Sequence, residues 1–398
     1  MKRSIIYYPL MLLAAVLLVD KTFEIPVIRD RTRQEITTLE VLDRYAARVL
    51  AEVQTSQSPH SVRKTVLFLG TSRSMTFLIL NDLEHDEFLS VGRRRFLSDY
   101  HFEARLAFPL PDVLSQLMIA DRLRAMDVRV DTIVFDLSPF VLYNHTLLES
   151  RIRQNVLPRK FLVRYLSEMP PDIRGQALGQ LLFTTYRYRV RPERLFIREG
   201  GEEVSQFTGA QRRDALAAHL IANPLTFNIE SLDDVHADSI SPAEFERRFA
   251  ALNAAAFDSL YVNYDRRAQA RKLLEAILTI LERQAEHMIL WLPPVHSSFR
   301  KTVYAELEPE DDFWKRYHAI LSEAGAKRFA FYNGYRSLSE CDYWLDASHY
   351  SGRCYGLLIH AMLQCTLQHN RPDYCVFPEQ SRDFNPDYFR TVSVDFTP

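Results

Sequence analysis

Val66-Leu67-Phe68-Leu69-Gly70-Thr71-Ser72-Arg73-Ser74 is the stretch from which the fold can be read. Four apolar β-formers in a row, without polar alternation, describe a short strand covered on both faces, and Gly70 stops it. A helix-like segment, Met75 to Leu83, follows. The same unit then recurs. Asp112 to Met126 reads as a helix, and Thr132-Ile133-Val134-Phe135-Asp136-Leu137 as a second buried strand closed by Ser138-Pro139. Further along, a helix from Asp265 to Arg283 carries Leu273, Leu274, Ile277, Leu278 and Leu281 as one apolar stripe. The strand Met288-Ile289-Leu290-Trp291-Leu292 ends at Pro293-Pro294. Phe313 to Ala324 is another helix, Arg328 to Tyr332 another strand, and Gly356 to Gln368 a last helix. Strands alternating with helices argue for an α/β fold, a parallel sheet with helices on both faces.

Around this core the chain divides by composition. Residues 1–21 read as an anchor and 22–60 as a helical linker, in which Glu35 to Val53 has the three- and four-residue spacing of an amphipathic helix. Residues 61–146 and 256–398 form the α/β domain. Residues 147–255 read as a mostly helical insertion, broken by Pro170-Pro171, Pro192, Gly200-Gly201, Pro224 and Pro242. With 398 residues, 47% apolar and 25% charged, and a formal charge of -2, the composition argues against both wholesale disorder and a nucleic-acid-coating role. Only 11 glycines weaken any glycine-loop nucleotide site.

The N-terminus places fifteen uncharged residues, Ile5 to Val19, between Met1-Lys2-Arg3-Ser4 and Asp20-Lys21. That is shorter than the roughly 20 apolar residues of an ordinary span. It is as long as a signal core, yet no small-residue cleavage site follows it. The run therefore reads as an uncleaved signal anchor, with Lys21 snorkelling to the interface. All four cysteines (Cys341, Cys354, Cys365, Cys375) fall in the last sixth of the chain. An even, clustered set fits two disulfides in an oxidising compartment, against the alternative of four buried thiols. The expectation is a single pass through the inner membrane with the globular body in the periplasm.

Reactive groups on an open parallel sheet gather beyond the carboxyl ends of its strands. Ser72 stands there, at a strand-to-helix turn that resembles the mechanics of a nucleophile elbow without its Gly-x-Ser-x-Gly pattern; Ser or Thr in that place is also an ordinary helix cap. Near the other end, Asp346-Ala347-Ser348-His349 brings a carboxylate within one turn of an imidazole. Asp346 can then hold Nδ1 of His349 while Nε2 faces a hydroxyl. The alternative is an Asp capping a turn beside a surface His. The order of Ser after the first strand and Asp-x-x-His near the end favours a triad.

These residues resemble the SGNH (GDSL-like) hydrolase superfamily over roughly residues 64 to 140 and 262 to 368. The N-terminal anchor, Gly70-Thr71-Ser72-Arg73, Ser138-Pro139, Pro293-Pro294-Val295 and Asp346-x-x-His349 are similar to its membrane-anchored envelope branch. That branch includes the D-alanyl transfer protein of teichoic-acid modification and the alginate O-acetylation proteins. The resemblance implies a three-layer, flavodoxin-like sheet and a triad of Ser72, His349 and Asp346. It implies a serine esterase or O-acyltransferase working on an envelope polysaccharide or acylated polymer, with a membrane-bound O-acyltransferase as partner and no cofactor. The superfamily's oxyanion donors, a second-block Gly and a third-block Asn, have no counterpart here. No Gly lies between Gly92 and Gly175, and Ser138-Pro139 stands where Gly-x-Asn-Asp is expected. Arg73 and Ser138 are the remaining candidates for oxyanion or substrate binding. The rival reading is a catalytically inactive scaffold of the same fold that binds glycan or a membrane-bound O-acyltransferase.

Two weaker signals remain. Tyr186-Arg187-Tyr188-Arg189-Val190-Arg191 alternates aromatic and basic side chains, and as a strand would present Arg on one face. His349, Cys354, His360, Cys365, His369 and Cys375 lack the paired spacings of a zinc site, so no metal is expected.

Overall fold

The computed structural model describes residues 4–33, 38–56, 63–81, 89–107, 112–139, 152–195, 235–236, 247, 271–296, 310–334, 343–346, 349–350, 352–367 and 375–376. By contacts the chain forms two compact units, Met1–Tyr45 with Glu149–Ala222, and Ala46–Leu148 with Asn223–Pro398. The segments read from sequence as anchor, first part of the linker and much of the insertion thus share one unit.

The larger unit is built on a six-stranded sheet. Its strands are β1 (Lys64–Leu69), β2 (Tyr100–Glu103), β3 (Val130–Asp136), β5 (Ala285–Leu292), β6 (Ala330–Asn333) and β9 (Cys375–Val376), in the spatial order β2-β1-β3-β5-β6-β9. The first five run parallel, and β9 pairs antiparallel with β6 at one edge. Taken in chain order, the five parallel strands lie 2-1-3-4-5, the flavodoxin-like order. Val66 to Leu69 in β1 are all buried, as expected where both faces are covered. A second, three-stranded sheet joins β4 (Val235–His236), β7 (Tyr343–Asp346) and β8 (His349–Tyr350) in antiparallel pairs.

The helices of this unit follow the periodicity of the sequence. Asp112 caps the helix Val113–Ala125, its carboxylate accepting from the N–H groups of Leu114 and Ser115 at 2.9 and 3.0 Å. The expected stripe from Leu273 to Leu281 is buried on the helix Arg271–Leu281, which packs on Val113–Ala125. The segment from Met75 differs from expectation. A single helical turn, Ser72–Met75, gives way to a 3-10 turn, Thr76–Asn81. The cause is packing: Phe77 is fully buried, stacked on Phe68 at 4.2 Å and set edge-on to Trp291 and Tyr355 at 5.2 and 4.6 Å. The tighter turn delivers this ring between β1, β5 and the helix Gly352–Leu367.

The other unit is helical. In it α1 (Ser4–Thr22) is apolar with no polar face, and nearly all its large side chains from Tyr7 to Val19 are exposed. Among the described residues no helix is long and apolar enough to cross a membrane. The foot of α1 is tied to the insertion. Asp20, buried, accepts from Thr184 N at 2.7 Å and from Thr185 N and Oγ1 at 2.8 and 2.6 Å, capping the helix Thr184–Tyr188. Lys21 donates to Leu182 O at 2.9 Å. Glu24 pairs with Arg159, whose hydrogen bond holds the Glu24 carboxyl down at about 2. The Tyr186 to Arg191 stretch is therefore helix rather than strand over its first part, and Arg189 ends it in the left-handed region at φ 47°. Its arginines do not share one face. Arg187 is buried and donates to Leu157 O at 2.6 Å, while Arg189 is exposed and donates to Arg153 O.

Candidate active site

Gly70 leaves β1 with φ +128°, facing Asp136 at the end of β3. A Cβ there would lie 2.3 Å from the Cβ of Asp136, so only glycine allows the two strand ends to meet this closely. Asp136 uses the proximity. One carboxylate oxygen accepts from Thr71 N at 3.1 Å and from Thr71 Oγ1; the other accepts from Ser138 N at 2.7 Å. The group is fully buried, and burial pushes its carboxyl above the ordinary range against the pull of Arg73 and these hydrogen bonds. Gln116 Nε2 donates to Gly70 O at 3.1 Å, and Tyr317 OH to Leu137 O at 2.5 Å, fixing the backbone of both strand ends.

Ser72 is the first residue of the helical turn, half-buried, with Thr71 as its cap: Thr71 Oγ1 accepts from Arg73 N at 3.2 Å. The turn is held from behind, where Arg73 O accepts from Tyr355 OH at 3.0 Å and from Thr76 Oγ1 at 2.7 Å. Ser72 Oγ lies 2.8 Å from His349 Nε2, although 277 residues separate the two in sequence. With Nδ1 protonated, Nε2 is the acceptor and the serine hydroxyl the donor.

His349 is delivered by a hairpin. β7 and β8 pair so that Asp346 stands opposite His349, with a register irregularity between Trp344 and Asp346. Trp344 and Tyr350, both buried, stack at 4.1 Å, and His296 meets the Trp344 ring edge-on at 5.4 Å. The backbone thus makes Asp346 and His349 direct neighbours; the side chain of Asp346 lies outside those described. Directly after the hairpin, Cys354 is buried and disulfide-bonded. Cys341 and the side chains of Cys365 and Cys375 lie outside the described set.

Arg73 and Ser138 come together, but with each other: Arg73 Nη1 donates to Ser138 Oγ at 2.8 Å, and both are buried. Asp136, Gln116 and Tyr355 were not singled out from sequence. An acid inside an apolar strand two residues before Ser138-Pro139 is the one signal that could have marked Asp136.

No curated protein is found to match this chain. A family model described as "Protein of unknown function (DUF1574)" matches residues 1–365. The chain belongs to the DUF1574 family.

Proposed function

We propose that the protein is a membrane-anchored serine esterase or O-acyltransferase of the SGNH type that works on a cell-envelope glycan or acylated polymer. The observation that carries this reading is the 2.8 Å approach of Ser72 Oγ to His349 Nε2 at the carboxyl end of β1. His349 takes the Ser72 proton as Oγ attacks an ester or thioester carbonyl, and returns it to the departing alkoxide or thiolate. The acyl-serine then passes to water in an esterase or to a sugar hydroxyl in a transferase, with His349 again moving the proton. Asp346, opposite His349 in the hairpin, is assigned to hold Nδ1. Ser72 sits beside the crevice between β1 and β3, the switch point where ligands of such sheets bind.

For location, α1 supports an inner-membrane anchor with the body in the periplasm. A helix apolar all round belongs in an apolar medium, and its side chains from Tyr7 to Val19 are largely uncovered. The disulfide at Cys354 agrees with an oxidising compartment. A membrane-bound O-acyltransferase is the partner assigned to supply or take the acyl group.

One observation favours the second reading, an inactive envelope scaffold of the same fold that binds glycan or such an acyltransferase. Arg73 Nη1 donates to Ser138 Oγ and Arg73 N to Thr71 Oγ1, so one guanidinium donor and the backbone N–H offered for an oxyanion are already engaged within the protein. Losing one oxyanion donor costs about 100- to 1000-fold in rate. Labelling the intact protein with a fluorophosphonate separates the readings. The enzyme reading expects labelling of wild type that Ser72→Ala abolishes and His349→Ala strongly slows. Wild type that stays unlabelled supports the scaffold, and equal labelling of all three removes Ser72 from its role.

A further inference from the structure

Large apolar side chains left exposed are concentrated in the helical unit. Besides those of α1, they are Ile25, Val27, Val163, Leu178, Leu182 and Tyr186; Val91 is the exception among the described residues. Leu182, Tyr186 and Ile25 are tied to the foot of α1. Leu182 supplies the carbonyl that Lys21 bonds, and Tyr186 follows Thr185, which Asp20 holds. The Tyr186 ring lies against Gly179, where an added Cβ would meet it at 3.1 Å, and Leu178 and Leu182 flank that glycine on the same helix. Ile25 closes the turn after α1 by donating its N–H to Thr22 O at 3.2 Å.

We infer that this collar, with Leu178, Leu182, Tyr186, Ile25 and Val27 as its contact residues, sinks into the headgroup boundary of an anionic bilayer. The inference rests on the reading of α1 as an anchor. Length supplies the reason for a collar. The fifteen uncharged residues from Ile5 to Val19 rise about 22 Å as a helix, against a hydrocarbon core of about 30 Å. A span that short leaves about 8 Å unfilled, and interfacial helices bury their apolar faces about 5–10 Å deep. The collar makes up the difference at the end where the body joins. Charge sets the lipid. The exposed basic residues of the same unit include Arg31, Lys160 and Arg189, beside Lys21 and Arg159, which pair with Glu24, and its sequence holds more Lys and Arg than Asp and Glu, although the whole chain is at -2. Tyr186 adds an aromatic ring of the kind that settles at the interface.

The test uses full-length protein in vesicles of phosphatidylcholine, with and without phosphatidylglycerol, whose acyl chains are brominated near the headgroups. Leu182→Trp and Tyr186→Trp place reporters at exposed positions that do not disturb the core. In anionic vesicles the added emission should fall by about half, as for side chains 5–10 Å inside the boundary, with wild type giving the background. Vesicle flotation is measured on the same samples. Protein that floats with unquenched reporters overturns the collar and leaves the anchor standing. Protein that does not float overturns the anchor, and equal quenching in neutral vesicles overturns the preference for anionic lipid.

Discussion

Replacing Gly70 by alanine tests the central claim about how the candidate site is held. The new Cβ would stand 2.3 Å from Asp136 Cβ and 3.1 Å from its Cα. Neither is the free end of a flexible side chain, and carbon contacts are normally about 3.5–4.0 Å. The ends of β1 and β3 would have to part by about 1 Å, at the level where Asp136 receives Thr71 N and Ser138 N. Alanine at φ +128° adds about 1–2 kcal/mol of backbone strain. Weakening two hydrogen bonds to a buried carboxylate adds about 1.5–3 kcal/mol each. The sum, about 4–8 kcal/mol, rivals the whole stability of an ordinary domain. Urea unfolding followed through the buried Trp291 and Trp344 reads it directly. With a slope of about 3 kcal/mol per molar, the midpoint should fall by more than about 1 M. Gly92→Ala is the control: nothing lies within 4 Å of its added Cβ, it is exposed on a helix, and the change should stabilise by up to about 1 kcal/mol. A Gly70→Ala midpoint indistinguishable from wild type would refute the close approach of the two strands.

Two further substitutions probe the same frame. Asp112→Ala removes the cap of the helix Val113–Ala125 and leaves the N–H groups of Leu114 and Ser115 without their acceptor, so stability should drop by about 1–2 kcal/mol in the same assay. Asp136→Asn keeps the shape but turns an N–H₂ toward either Thr71 or Ser138, both donors, and should cost about 1–3 kcal/mol. Its pH dependence has a defined sign. Burial raises the Asp136 carboxyl in the folded state, so its protonation stabilises fully below the unfolded carboxylate range and is lost as pH rises through the raised value. The stability gap between wild type and Asp136→Asn should therefore narrow with rising pH, and a gap that widens would contradict the direction of the shift.

The parts of the fold legible in the sequence are those whose signal is repeated. β1, β3 and β5 each carry an unbroken apolar run, Val66 to Leu69, Ile133 to Phe135 and Met288 to Leu292, and the Leu273 to Leu281 stripe needs nothing beyond its own spacing. β2 escaped because Tyr100-His101-Phe102-Glu103 is a short edge strand of mixed polarity, whose buried Glu103 is neutralised by Arg105. β4, β8 and β9 are two residues each, too short for any period. The 3-10 turn after Ser72 is set by where Phe77 must go, a tertiary demand that local propensity does not carry. At the site, Ser72 and His349 were visible as chemistry-bearing residues at strand ends. Asp136 was not, because its role depends on a glycine in a different strand.

The two halves of the site are held by separate means, and that separation bears on what the site is built to do. Asp136, buried behind the turn, binds Thr71 and Ser138 and so ties the ends of β1 and β3, the strands that flank the switch point, without itself reaching Ser72 by any hydrogen bond among the described residues. His349 depends instead on the hairpin and its Trp344–Tyr350 stack, which Cys354, disulfide-bonded, follows in the chain. Holding a hydroxyl and an imidazole at 2.8 Å from two distant parts of the chain requires both supports at once. A surface serine needs neither a glycine that admits no Cβ nor a fully buried carboxylate beneath it. The arrangement of Gly70, Asp136 and Tyr355 supports the proposed reading of Ser72 as a nucleophile, which requires one half-buried hydroxyl fixed in direction.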